Sequence, residues 1–190
     1  MANNLLGARA KHVNIRAGIK QRGVTLLELI AGLAVMAVIV VGALALFNTA
    51  NNAQRATQLK TDIEALRAGV TQLWMGQGNY GTVNLAPTLH TAGRIPGTVR
   101  VTGSGAATTL THAANGTFEV RGATTRFTIQ VNGLTSALCV ELSTGPHNWN
   151  SVQINMNAAI LPAAFPIAPA MAAGQCTVAG SGNHIIFTGS

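Results

Sequence analysis

The chain has 190 residues, 48% of them hydrophobic and only 9% charged, with a net charge of +7. That length suits one folded domain, or one domain plus an anchor, and a charge content well below the roughly 25% of soluble domains excludes a chain that lies in water throughout. The positive charge does not describe a nucleic-acid surface: Arg9, Lys11, Arg16, Lys20 and Arg22 all precede residue 23, and the remainder carries about +2, without the clustered Lys/Arg and interleaved aromatics of a binding groove.

In chain order, residues 1–23 read as a basic leader with no acidic residue. Leu29 to Phe47 follow as 19 consecutive apolar residues, extended backwards to Val24 with only Thr25 and Glu28 as polar members. About 24 helical residues cover roughly 36 Å, enough to span a hydrocarbon core of ~30 Å. The basic leader stays cytoplasmic by the positive-inside rule, so residues after Phe47 are exported. A secretory signal peptide cut near Ala43-Leu44-Ala45 or Ala50 is the plain alternative. Its apolar region, however, runs only about 7–15 residues, and it has no use for a carboxylate. Burying Glu28 in a bilayer costs about 2.5–3.5 kcal/mol on insertion scales, which marks it as a residue with a partner.

Residues 48–75 continue the helix into water. Ala56, Leu59, Ile63, Leu66, Val70 and Leu73 recur at steps of three and four, while Gln54, Arg55, Gln58, Asp62, Glu64, Arg67 and Gln72 mostly occupy other faces. No proline occurs before Pro87, so one rod from about residue 24 to 75, roughly 78 Å long, is expected. A homodimeric coiled coil would need more heptads than the stripe holds.

After Trp74 the sequence turns Gly-, Thr- and Asn-rich, with β-prone runs at 98–102, 117–121, 124–131, 151–155 and 184–188. Phe127, Ile129 and Val131 alternate with Arg126, Thr128 and Gln130, which gives one buried face for the stripe of residues 56–73 to cover. Residues 133–143 have helical spacing. The Ala/Pro-rich stretch 158–174 reads as an irregular surface region and a candidate contact between subunits.

The glycines of Gly76-Gln77-Gly78-Asn79-Tyr80-Gly81 match a dinucleotide fingerprint, but they follow a helix rather than a strand and instead terminate it. His12, His90, His112, His147 and His184 have no ligand spacing, so neither a metal nor a cofactor is expected. Asp62 is the sole Asp, and Glu119 and Glu141 are the only acids after residue 64. That leaves no set for paired-carboxylate or triad catalysis, and the chain is read as a non-enzyme. Cys139 and Cys176 lack a CxxC partner. They form a disulfide if the domain is exported and remain two buried thiols if it is not; export past the inner membrane favours the bond.

The stretch Arg22-Gly23-Val24-Thr25-Leu26-Leu27-Glu28-Leu29-Ile30 resembles the processing site of type IV prepilins: a basic leader ending in Gly, a hydrophobic first mature residue, and Glu as the fifth. The resemblance implies cleavage after Gly23 by prepilin peptidase and N-methylation of Val24. The 23-residue leader and the non-Phe first residue resemble the IVb class. Asn132-Gly133-Leu134-Thr135-Ser136-Ala137-Leu138-Cys139, followed by Asn148-Trp149, is similar to the helix bearing the first disulfide cysteine in conjugative and enteric thin-pilus subunits, and Gly78-Asn79-Tyr80 resembles the end of their long helix.

The implied fold is α+β, a long N-terminal helix packed on a small, mainly antiparallel sheet. The implied division is a leader at 1–23, a transmembrane and polymerisation helix at 24–50, an amphipathic continuation at 51–75 and a head at 76–190 with a disulfide-bounded region 139–176. The implied function is that of a major pilin, anchored in the inner membrane and then polymerised with other copies of itself by the inner-membrane assembly machinery into an extracellular pilus for adhesion, aggregation or conjugation. A minor pilin or a secretion pseudopilin is the near alternative, and a singly anchored periplasmic binding domain or adhesin the distant one. Glu28 of one subunit would neutralise the Val24 amine of its neighbour in the apolar filament core.

Overall fold

The computed structural model describes residues 25–145 and 147–190. Gly23 and Val24 therefore lie outside the described residues. By its contacts the chain divides into two units, Met1–Leu44 and Ala45–Ser190.

One helix, α1 (Leu26–Leu73), runs for 48 residues and belongs to both units. In the first unit it is apolar on every face and exposed throughout its described length. In the second, Ala56, Leu59, Ile63, Leu66 and Val70 are buried, most of the stripe expected from the sequence; Leu73 is only partly buried, and Asp62, expected on another face, is buried as well. They share one core with the inward residues of a six-stranded antiparallel sheet. That sheet comprises β1 (Arg100–Thr102), β2 (Thr109–Thr111), β3 (Thr117–Ala123), β4 (Arg126–Leu134), β5 (Ser151–Ile154) and β6 (Asn183–Gly189), in the order β1-β2-β3-β4-β6-β5. Period-two alternation sets which face is dry. Phe118 and Val120 of β3, Phe127, Ile129 and Val131 of β4, and Ile185 and Phe187 of β6 all point inward, and Val120 stands opposite Ile129.

The chain ends α1 through Gly76 and Gly78, both at positive φ, as the glycine pattern led one to expect. It then lies along β3, with Tyr80 N–H donating to the Thr124 carbonyl at 2.7 Å and Leu85 N–H to that of Val120 at 2.8 Å. A short helix, α2 (Ala86–Thr91), follows with Pro87 in its first turn, where a missing N–H costs nothing. The helix expected over 133–143 begins later, as α3 (Ser136–Ser143). Gly133, at φ 79, and Leu134 instead finish β4, where pairing with β6 shifts register between Val131 and Leu134. Thr135 then caps α3, its hydroxyl accepting from Leu138 N–H at 3.4 Å.

The stretch 158–174 is more ordered than its composition indicates. It holds a 3-10 turn at Pro162–Ala164 and α4 (Pro169–Gln175). Ile160 and Val152 exchange backbone hydrogen bonds of 2.7 and 2.9 Å, so this segment lies along the outer side of β5. Ile160, Ile167 and Ala172 anchor it in the core while Leu161 and Met171 face out.

Candidate functional site

The chemistry of the first unit is concentrated at the start of α1. The Thr25 hydroxyl accepts a hydrogen bond from the Glu28 N–H at 3.3 Å, and the Thr25 carbonyl accepts from Leu29 N–H at 3.1 Å, which makes Thr25 the N-cap. Glu28 occupies the first turn, where the partial positive charge of the helix end favours a carboxylate. Among the described residues no cation lies within ion-pair distance of it. A cation brought to this end of the helix would meet both a carboxylate and a defined helix start.

From Leu26 to Phe47 the helix exposes large apolar side chains on all sides. Its most apolar 18-residue window has a mean hydropathy of 2.8 and is 0% buried. A helix apolar on every face is stable in lipid or against other apolar helices.

In the second unit Cys139 of α3 and Cys176, just past α4, are joined, with Cα atoms 5.8 Å apart and both residues buried. Two buried asparagines hold the region they close. Asn183 donates to the carbonyls of Leu134 at 3.2 Å and Val178 at 2.8 Å, and accepts from Val178 N–H at 3.1 Å. Asn155 donates to the Gln175 carbonyl at 2.6 Å and accepts from His184 N–H at 2.9 Å. The disulfide joins α3 to the end of α4, and the asparagines add ties from the same region to β4 and β6. Sequence reasoning passed over Asn155, Asn183 and Thr25. Thr25 had a readable signal, since Thr-x-x-Glu is a helix-start pattern, whereas the asparagines make contacts as much as 49 residues away.

Glu28 belongs to the first unit and the cysteines to the second. A cleft of about 280 Å³ opens beside α1 between Lys60, Glu64, Trp149 and Phe187. Among the described residues no group of three His, Cys, Asp or Glu side chains stands close enough to hold a metal ion.

A long helix whose second half packs on an antiparallel sheet, with a disulfide-closed region beside it, is the type IVb pilin fold. The structure matches the type IVb pilin of Salmonella typhi with a TM-score of 0.56 and 24% identity, over 69% of this chain and 96% of that one. It matches TcpA, a type IV pilin of Vibrio cholerae El Tor, with a TM-score of 0.52 and 15% identity, over 72% and 99% of the two chains. Residues 19–44 match the prokaryotic N-terminal methylation motif and residues 53–190 the family described as PilS N terminal, and the chain belongs to that family. It is also 31% identical over 128 residues to the toxin coregulated pilin of Vibrio cholerae serotype O1, covering 65% of this chain and spanning 57% of that relative's length. The methylation motif followed by an exposed apolar helix fits anchoring in the inner membrane and then pilus assembly.

Proposed function

We propose that this chain is the major structural subunit of a type IVb pilus. The prepilin inserts in the inner membrane through residues 24–50, prepilin peptidase removes residues 1–23 after Gly23, and Val24 becomes the N-methylated first residue. The mature subunits polymerise through the apolar helix, with residues 51–75 and the head 76–190 on its outside. The feature that carries this reading is the apolar half of α1: it is exposed along its length and begins with a capped turn bearing Glu28. Leader removal creates a cation at Val24, and Glu28 of a neighbouring subunit neutralises it in the apolar core. Because an unpaired buried charge costs several kcal/mol, the pair sets the axial register. The subunit's work is mechanical rather than catalytic, and the names of its relatives are those of pilins.

Shearing cells of the native host tests this directly. The expected result is sedimentable filaments composed of this chain, with an intact mass and N-terminal sequence that begin at methylated Val24. A chain that stays with membranes would favour the singly anchored binding domain, and a mature terminus at Leu46 or Asn51 would favour a secretory signal.

A further inference from the structure

One turn past the end of the apolar run, α1 changes from hydrocarbon to amide and guanidinium side chains. Phe47, 63% exposed, closes the run. Asn51, Gln54, Arg55 and Gln58 follow at i, i+3, i+4 and i+7, the spacing that puts four side chains on one helix face. All of these residues belong to the second unit. With Thr98, which precedes β1, and Ala113, in the turn between β2 and β3, they line a cleft of about 380 Å³.

The polar groups of this cleft are of two kinds. Gln58 Nε2, at 2.9 Å, and the Thr98 hydroxyl both donate to Oδ1 of Asp62, which is 1% exposed and does not itself line the cleft. Asn51, Gln54 and Arg55 make no side-chain hydrogen bond or ion pair among the described residues. No acidic residue is in the lining. What remains uncommitted is a set of N–H donors around one permanent cation. Such a set selects an anion, and the planar fork of an arginine matches the oxygens of a phosphate.

Position along the helix decides which phosphate. At 1.5 Å per residue, Asn51 stands about 6 Å and Arg55 about 12 Å beyond Phe47. Lipid headgroups occupy about 5–8 Å on each side of the hydrocarbon core. Side chains of a helix lean towards its N-terminus, so the stem of Arg55 leads back towards Phe47 and the level of the headgroups.

We propose that this cleft holds the phosphate of a phospholipid headgroup while the subunit stands in the inner membrane, with Arg55 as the charged ligand and Asn51 and Gln54 as neutral donors. Given residues 24–50 as the membrane anchor, the reading on which this site rests, a phosphate held there sets the depth at which α1 sits. The headgroup is given up when the helix leaves the bilayer for the polymer.

The test uses the full chain in maltoside micelles, which carry no phosphate, and follows the side-chain amides of Asn51 and Gln54 by NMR. Short-chain phosphatidylglycerol should shift these amides saturably. Arg55→Gln should weaken its apparent affinity about tenfold, the loss expected from one charge-assisted bond to an anion, and Arg55→Lys should recover part of it. Inorganic phosphate should act only at far higher concentration, because nothing holds it beside the helix. Equal affinity for inorganic phosphate would make this a site for a free anion and overturn the lipid assignment. A galactolipid of the same chain length that shifts the amides as strongly would show that acyl chains suffice, and undiminished affinity in Arg55→Gln would remove the arginine; either result overturns the site. Arg55 is exposed and outside the core, so its variants leave the head folded. The chain stays in the micelle through its apolar helix in every arm, so a negative result bears on the cleft and not on anchoring or pilus assembly.

Discussion

The guanidinium of Arg67 lies 4.5 Å from the centroid of the Trp149 ring, and its Nη1 is 3.7 Å from Glu64 Oε2. Arg67 is on α1 and Trp149, a buried core residue, lies just before β5, so this contact fastens the helix to the sheet at the margin of the core. Replacing Arg67 with Ala removes both the cation over the ring and the methylene stem that shields it, an expected loss of about 1 kcal/mol. Arg67→Lys should recover only part of it, because a compact ammonium cannot lie flat on an indole. Urea unfolding followed by tryptophan fluorescence measures both.

Leu59 and Leu33 are the same residue type on the same helix, one fully buried and the other exposed. Leu59→Ala should cost the head about 2–5 kcal/mol through lost burial and a residual cavity. Leu33→Ala should leave head unfolding unchanged while weakening whatever packs on the apolar half. Thermal unfolding of the head separates the two, and equal effects would mean that the two halves of α1 share one core.

Reducing the Cys139–Cys176 bond opens a loop with a sequence separation of 37. The chain-entropy model puts the expected destabilisation at about 3–4 kcal/mol. Denaturant midpoints with and without reductant give the figure. No shift at all would assign the work of holding α4 and the segment after it to Asn155 and Asn183.

Glu28→Ala should leave membrane insertion, leader removal and the head intact, and sharply reduce filaments released by shearing. Insertion becomes easier once the carboxylate is gone. The loss arises only on assembly, where a neighbour's Val24 amine would enter an apolar core unpaired. Co-expressed wild-type subunit should restore filaments in part, since a Glu28→Ala chain still offers its own amine to a wild-type carboxylate. Abundant pili from Glu28→Ala alone would show that helix packing suffices without the charge pair.

Much of this architecture was legible because its signals are local. The apolar run, the stripe from Ala56 to Val70 and the alternation in β4 each repeat over a fixed short period, and the N-terminal motif is contiguous. What escaped depends on distant partners. Thr109–Thr111 is too short to show a period and becomes β2 only because β1 and β3 flank it. Ala86–Thr91 is a helix of 6 residues. It is seated by burial of Leu85 and Leu89 rather than by propensity. Leu134 looked helical beside Leu138 and Leu142, yet its carbonyl is claimed by Asn183 from β6.

The hydrogen bonds between Ile160 and Val152 occupy the side of β5 that would otherwise stand open, and the opposite border of the sheet is β1, 3 residues long and carrying Arg100. Bare strand borders recruit other strands indiscriminately, which is the route to amyloid-like stacking. A protein of a family that assembles into filaments brings many such borders close together, where that route is most open. With one border covered and the other short and charged, strand-to-strand accretion is disfavoured, and association between copies is left to other surfaces.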